Sequence, residues 1–275
     1  MAKRGVVAQT LMGRLYPELM EAHLGGDFGV LDESLGPRPP VMLLNLAGET
    51  GLDQGMLAID VGCGRGDYAE HMARRHGCRV LGLDLALGNL QLAQGYEDEE
   101  WPEAGVYFGQ ATIEALPVQD GAADLIFCRD MLLHVEDLER SLVECGRALR
   151  PGGSMVVLAT VTGELLSQQE AATLFKPIGI GEENLSRLRL EAAFSQAGLT
   201  MQKVEEIGGE RLEHLEEEHG LYTRELMRLA RMRRDPERYR QALGDHRYEA
   251  ALALYTLSIY LLIGKLVDVM YWLRK

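Results

Sequence analysis

The feature that most constrains the fold is a glycine-rich turn at residues 62–66, where three glycines alternate with other residues. It follows an apolar run at 56–60 and precedes the helical spacing of Asp67–His76. Glycine is required where the backbone φ is positive or where a ligand must touch the main chain. A strand that ends in such a turn and leads into a helix is typical of the ligand-binding unit of an open α/β sheet.

Short apolar runs alternate with helix-like stretches between about residues 55 and 160, which predicts a parallel sheet built from βαβ units. The predicted strands are 56–60, 79–84, 106–108, 123–128, 154–160, 200–207 and 266–273. Helices are expected over 67–76, 87–94, 135–149 and 185–197, with a stop and turn at 150–153. The prediction is therefore an α/β fold, a Rossmann-like, doubly wound, mostly parallel sheet of seven strands with helices on both faces.

Four segments are expected along the chain. Residues 1–50 form an N-terminal helical lid, 51–207 the ligand-binding core, 208–264 a helical insertion that caps an acceptor pocket, and 265–275 the last strand of the core. The charge-dense part of the insertion, 208–245, is interpreted as solvated helix faces. Its apolar and aromatic side chains, such as Tyr222, Met232 and Tyr260, are candidates for a cavity lining or for core.

Composition and charge limit the classes of partner that the chain is expected to bind. The chain has 275 residues and a formal net charge of −14, which disfavours a nucleic-acid partner. The uncharged run 252–263 is shorter than the roughly 20 residues of a spanning helix, so we expect no membrane insertion. Four cysteines without CxxC or zinc spacing predict reduced thiols, a cytoplasmic protein and no metal site. A homo-oligomer is compatible with the sequence.

Two carboxylates sharpen the interpretation of the glycine turn. Its spacing is G-x-G-x-G, with Asp67 where the dinucleotide pattern has glycine. Asp60 precedes the turn, where a carboxylate would oppose a pyrophosphate but suit a cationic ligand. Asp84 closes the second predicted strand, where a carboxylate can accept hydrogen bonds from ribose hydroxyls. A dinucleotide site and a plain tight turn are the alternatives.

The chain resembles the class I S-adenosylmethionine-dependent methyltransferases at several motifs in order. These are 60–66 (DVGCGRG), 82–85 (GLDL), 109–117 (GQATIEALP), 123–128 (ADLIFC) and 149–153 (LRPGG). The resemblance implies that S-adenosylmethionine is the cofactor and S-adenosylhomocysteine its product.

The resemblance also implies roles for single residues. The glycine turn would wrap the methionine part of the donor, Asp84 would hold the ribose, and Leu85 and Ile113 would flank the adenine. Thr112 stands where many relatives carry Asp. The expected cofactor-binding residues are Asp60, Gly62, Cys63, Gly64, Gly66, Asp84, Leu85, Ala111, Thr112, Ile113 and Cys128.

The acceptor side is expected at residues 128–135 (CRDMLLHV), which leave the carboxyl end of the fourth strand. This stretch resembles that of the phosphoethanolamine-type and related small-molecule N-methyltransferases, and the chain as a whole also resembles the ubiquinone- and menaquinone-biosynthesis methyltransferases. The resemblance makes His134 the candidate base, with Asp130 beside it and Tyr16 as a lid residue. The alternatives are a structural histidine for His134 and a core residue for Tyr16.

The predicted function is methyl transfer to nitrogen, oxygen or carbon of a small, partly apolar metabolite, in small-molecule metabolism such as natural-product biosynthesis. Two alternatives are kept. One is an enzyme of the same fold that catalyses a cyclisation or rearrangement without methyl transfer, and the other is a binding protein without catalysis.

Overall fold

The computed structural model describes residues 11–25, 30–31, 36–94 and 105–275. The chain divides into two compact units, Met1–Pro37 and Arg38–Lys275. In the first unit, helix α1 spans Leu11–Gly25 and exposes the side chains of Leu15, Leu19 and Met20. The second unit holds the sheet and helices α2 to α11.

A seven-stranded sheet forms the centre of the second unit as far as the structure describes it. Its strands are β1 (Leu57–Val61), β2 (Arg79–Asp84), β3 (Val106–Gln110), β4 (Ala123–Arg129), β5 (Leu149–Thr162), β6 (Thr200–Gly208) and β7 (Leu266–Arg274). The spatial order is β3-β2-β1-β4-β5-β7-β6. Strand β7 runs antiparallel to both neighbours and the other pairs are parallel. The predicted doubly wound, mostly parallel sheet is confirmed.

The helices fall into two groups. In the second unit, six described helices precede β6 along the chain: α2 (Met42–Glu49), α3 (Asp67–His76), α4 (Leu87–Gln94), α5 (Leu138–Ala148), α6 (Gln168–Leu174) and α7 (Arg187–Gln196). Short 3-10 helices lie at Leu132–His134, Lys176–Ile178 and Glu182–Leu185. Between β6 and β7, the insertion contains α8 (Glu210–His219), α9 (Leu221–Arg234), α10 (Pro236–Leu243) and α11 (Asp245–Leu262).

Alternating strand residues build a hydrophobic core on each face of the sheet. Ile59 packs in one cluster with residues of α5 and α7, such as Leu142 and Phe194. Its neighbour Ala58 packs in the other cluster with residues of α2 and α3, such as Leu43. This double coverage explains why the strands have near-continuous apolar sequences. The helices cover the two faces of the sheet but not the carboxyl ends of the parallel strands.

Two predicted boundaries differ from the structure by three residues or more, and others by one or two. Strand β5 begins at Leu149, so 150–153 is not a turn before the strand but a bulge within it, where four residues stand opposite Asp124 of β4. Helix α5 begins at Leu138 rather than 135, because the Asp137 side chain caps it by accepting a hydrogen bond from the Arg140 backbone N–H at 2.9 Å.

Candidate active site

A cavity of about 760 Å³ opens at the carboxyl ends of β1, β2, β3 and β4. The chain order reverses between β1 and β4 in the sheet, so the cavity lies at the topological switch point where open α/β sheets bind ligands. Seven of the predicted cofactor-binding residues line it: Gly62, Gly64, Asp84, Leu85, Ala111, Thr112 and Ile113. Asp130 and His134, predicted for the acceptor, line the same cavity.

The glycine turn leaves its backbone open to the cavity. Gly62 and Gly64 have φ values of 74° and 57°, in the region that favours glycine. A Cβ on Gly64 would have no heavy atom within 4 Å, so it would occupy cavity space. A Cβ on Gly62 would lie 2.9 Å from Cγ of Met131, which follows β4. A ligand in the cavity can therefore come close to the main chain of the turn.

Asp84 is fixed by the loops on either side of it. Its Oδ2 accepts a hydrogen bond from the Gly64 backbone N–H at 2.8 Å, and its Oδ1 accepts from the Ala86 N–H at 2.8 Å and the Asn89 amide at 3.3 Å. Asn89 also lines the cavity, and the sequence analysis missed it. The carboxylate is therefore oriented before any ligand arrives.

Asp60 is a buried carboxylate at the end of β1 and is only 3% exposed. Its Oδ2 finds no hydrogen-bond partner among the described residues. Burial raises the pKa of Asp60 to about 7; the nearby Asp84 adds to this rise, and the Arg129 guanidinium opposes it. A buried acceptor without a donor is costly for a fold and is the kind of group that a cationic ligand satisfies.

The segment after β3 gives the cavity an apolar wall and a polar corner. Ile113 is buried, whereas Leu85 is 69% exposed, and both line the cavity. The Thr112 hydroxyl donates a hydrogen bond to the Glu114 carboxylate. The Ala111 backbone N–H donates to the Asp84 carbonyl at 3.2 Å, which ties this segment to β2.

Four of the predicted cofactor residues do not line the cavity: Asp60, Cys63, Gly66 and Cys128. Gly66 caps α3 at φ 87°, and a Cβ there would lie 2.5 Å from the Phe108 ring, so its role is packing. Cys128 is 1% exposed in the hydrophobic core, and burial raises the pKa of its thiol. Burial raises the pKa of Cys63 to about 12, so neither thiol is a nucleophile.

Asp130 follows β4 in a backbone conformation that is uncommon for a residue with a side chain, with φ 56°. Its Oδ2 lies 3.1 Å from Nη1 of Arg129, and that guanidinium stacks over the Tyr68 ring at 4.5 Å. Its Oδ1 is buried without a hydrogen-bond partner in the described part of the chain. The left-handed conformation thus directs a carboxylate into the cavity wall.

His134 ends the 3-10 helix Leu132–His134 and faces the cavity. Burial lowers the pKa of His134, and the negative charge of Asp130 partly opposes this effect. The lowered pKa favours the neutral imidazole relative to an ordinary histidine, and a neutral imidazole can accept a proton. Tyr16 belongs to α1, but its side chain lies outside the described residues, so its lid role stays a prediction.

One buried charge was missed by the sequence analysis. The interpretation of 208–245 as solvated helix faces is wrong for Arg211, whose side chain is only 13% exposed. Arg211 pairs with Asp268 of β7 at 2.8 Å. Elsewhere in the insertion, Leu252 and Tyr260 line a separate cavity of about 110 Å³, and Leu229, Met232 and Tyr248 are buried.

Two kinds of feature are absent from the described ranges. No group of three or more His, Cys, Asp and Glu side chains is placed to hold a metal ion. None of the described helices combines the length and the apolar composition needed to cross a membrane.

Comparison with known sequences gives a partial match. The family model for a methyltransferase domain matches residues 59–157, the segment from β1 to the middle of β5. A ubiquinone biosynthesis O-methyltransferase from Alkalilimnicola ehrlichii is 38% identical over 104 residues, which is 38% of this chain. The alignment covers 41% of that relative's own length.

Comparison with solved structures extends the likeness of the fold to most of the chain. The (4+2)-cyclase SpnF has a TM-score of 0.66 at 20% identity, covering 85% of this chain and 80% of that one. A geranyl diphosphate methyltransferase in complex with S-adenosylmethionine has a TM-score of 0.63 at 18% identity, covering 85% and 84%.

Proposed function

We propose that this chain carries a class I methyltransferase domain whose cofactor is S-adenosylmethionine, and that the whole protein methylates a small, partly apolar metabolite. Nitrogen, oxygen and carbon acceptors are all compatible with the proposal. The observation that carries it is one cavity that brings together the bare backbone of Gly64, the oriented carboxylate of Asp84 and the imidazole of His134.

The residues present fit the cofactor. The space beside Gly64 is open to a ligand that lies against the backbone, and Asp84 is held in position for ribose hydroxyls. The buried carboxylate of Asp60, just before the turn, suits the cationic end of the donor through its negative charge rather than by direct contact. When bound, the cofactor supplies an activated methyl group on a sulfonium centre.

The expected cofactor-binding residues remain part of the proposal, with different contributions. Gly62, Gly64, Asp84, Leu85, Ala111, Thr112 and Ile113 would contact the donor directly, since they line the cavity. Asp60 would act through charge from beneath the turn. Gly66, Cys63 and Cys128 would shape the turn and the end of β4 by packing.

On the acceptor side, methyl transfer from an activated donor depends mostly on positioning. A base is needed when the acceptor carries a proton, and His134 is the proposed base because its lowered pKa keeps the imidazole neutral. Asp130 would orient the acceptor or the imidazolium that forms. Tyr16, within the proposed lid of residues 1–50, is the third candidate, and the insertion 208–264 is proposed to cap the acceptor.

A cyclisation or rearrangement on the same fold is the alternative. The likeness to SpnF is a likeness of fold, and fold alone does not select the reaction. We propose a cytoplasmic enzyme of small-molecule metabolism.

The test has two stages. Calorimetry should show that the purified protein binds S-adenosylmethionine, and that Asp84→Ala weakens binding by about 2 kcal/mol, since a charge-assisted hydrogen bond is lost. Glu164→Gln, an exposed carboxylate after β5, is the matched control and should bind like the wild type.

In the second stage, the protein is incubated with methyl-labelled donor and a metabolite extract. S-adenosylhomocysteine and a labelled product should accumulate together. Donor binding without any S-adenosylhomocysteine would favour the rearrangement or the binding protein, and absence of donor binding would reject the proposal.

A further inference from the structure

The Arg211 side chain enters the protein interior from the first turn of α8. Its Nε and Nη2 donate hydrogen bonds to Oδ2 of Asp268 at 3.2 and 2.8 Å. Asp268 lies on β7 and its side chain is fully buried. The insertion is thus joined to the sheet by a charged pair rather than by apolar contacts alone.

Asp268 is itself fixed from the other side. Its Oδ1 accepts a hydrogen bond from the Thr160 hydroxyl of β5 at 2.8 Å. Both carboxylate oxygens therefore have partners, and the guanidinium of Arg211 is held in one orientation relative to β5 and β7.

That orientation brings Arg211 to the candidate active site. Its Nη2 lies 4.0 Å from Oδ2 of Asp130, the residue with the left-handed backbone beside His134. Asp130 is thus placed between two guanidinium groups, those of Arg129 at 3.1 Å and Arg211. A buried ion pair that served stability alone would need only Asp268, and such pairs often contribute little net stability.

We propose that Arg211 is a positioning residue, which transmits the placement of the insertion to the candidate active site by holding the Asp130 carboxylate at a fixed distance from His134. Calling this cavity an active site rests on the proposed function, whereas the coupling between Arg211 and His134 does not. The Arg211 side chain then has two roles: it is the counter-ion of Asp268, and it anchors Asp130.

A double variant, Arg211→Gln with Asp268→Asn, separates these roles. It removes one positive and one negative charge, so no buried charge is left without a partner, and the Asn oxygen can still accept from Thr160. If Arg211 is only a counter-ion, His134 should titrate as in the wild type. If Arg211 anchors Asp130, the freed carboxylate can approach the imidazole and stabilise its charged form.

The measurement is the pKa of His134 by NMR of the imidazole protons, with His134→Ala to assign the signal. We expect the pKa to rise by about half a unit or more in the double variant. Adding Asp130→Asn should abolish the rise, because the group that moves is then uncharged. The other charged groups that line the cavity are unchanged throughout: Asp84, Glu114, Arg129, Glu136, Asp137 and Arg140.

Two controls complete the experiment. Arg231→Gln, an exposed arginine on α9, should leave the pKa of His134 unchanged. Arg211→Lys keeps the charge beside Asp268 but loses the fork toward Asp130, and should shift the pKa in the same direction even if the double variant does not fold. A His134 pKa within about 0.1 unit of the wild type in the folded variants overturns the proposal. So does a shift that persists with Asp130→Asn.

Calorimetry of the wild type with S-adenosylmethionine distinguishes the two failures. If the wild type does not bind S-adenosylmethionine, the proposed function is contradicted, whereas the coupling between Arg211 and His134 is not.

Discussion

At the scale of single residues, the buried carboxylate of Asp60 is an arrangement that reduces the stability of the fold. Its Oδ2 lies without a hydrogen-bond partner among the described residues, and burial raises the pKa to about 7. Groups that reduce stability in this way are concentrated at functional sites. The carboxylate therefore indicates where the fold accepts a loss of stability for ligand binding.

The raised pKa of Asp60 gives a pH prediction for the unliganded protein. The folded state holds the Asp60 proton up to about pH 7, while the unfolded chain releases it near pH 3.8, so stability falls as pH rises between these values. We expect this group to contribute a loss on the order of 2 kcal/mol between pH 5 and pH 8.

Urea unfolding of the wild type and of Asp60→Asn at both pH values checks this prediction. The variant should lose less stability than the wild type on going from pH 5 to pH 8. An equal loss in both proteins would show that Asp60 ionises normally.

His134 carries the second prediction at this scale. Because burial lowers its pKa, the neutral base should already be populated below the ordinary value of about 6.5. Once an acceptor is known, kcat/KM should rise with pH and level off below that value. His134→Gln should lose this limb and about 10² to 10⁴ in rate, with donor affinity unchanged. A variant with near wild-type turnover would leave His134 a structural role.

At the scale of elements, the glycine turn between β1 and α3 assigns different tasks to similar residues. Gly64 and Gly66 both have a positive φ, but only Gly64 lines the cavity. Gly66 instead makes room for Phe108 of β3.

This difference predicts that substitution by alanine affects mainly donor binding at Gly64 and mainly stability at Gly66. Gly64→Ala should cost about 1 kcal/mol of stability through backbone strain and strongly weaken donor binding. Gly66→Ala places a Cβ 2.5 Å from the Phe108 ring and should lower the Tm much more. Thermal unfolding and calorimetry on both variants test this. Equal loss of stability in the two would contradict the division of roles.

A comparison of elements shows which parts of the fold and the site can be predicted from the sequence. The bounds of α3, β2 and α4 agree with their apolar periodicity, because each is determined locally by strand, turn and cap residues. Arg211 could not be found in this way. Its burial depends on Asp268, which is distant in sequence and reaches it only because β7 lies between β5 and β6. Asn89 was missed for a similar reason, since its role follows from the orientation of Asp84.

At the scale of the whole molecule, the free thiols report on the integrity of the fold. Cys78, Cys128 and Cys145 are buried, and burial raises the pKa of Cys78 to about 11 and of Cys145 to about 12. The native protein should therefore react slowly with iodoacetamide at pH 8, and all four cysteines should react in denaturant. Mass spectrometry of the alkylated protein checks this. Rapid labelling of Cys145 in the native state would indicate local opening of the core.

The antiparallel strand β7 has a consequence for the order of folding. Among the described strands, β6 pairs only with β7, and the insertion α8–α11 separates the two along the chain. During synthesis, the Rossmann-like half from β1 to β5 can close on itself, whereas β6 must wait as an unpaired edge until the insertion has been made. The nascent protein therefore passes through a stage at which β5 and β6 both expose edges to other chains. Substitutions that delay the docking of β7 should increase aggregation during expression more than they lower the stability of the finished protein.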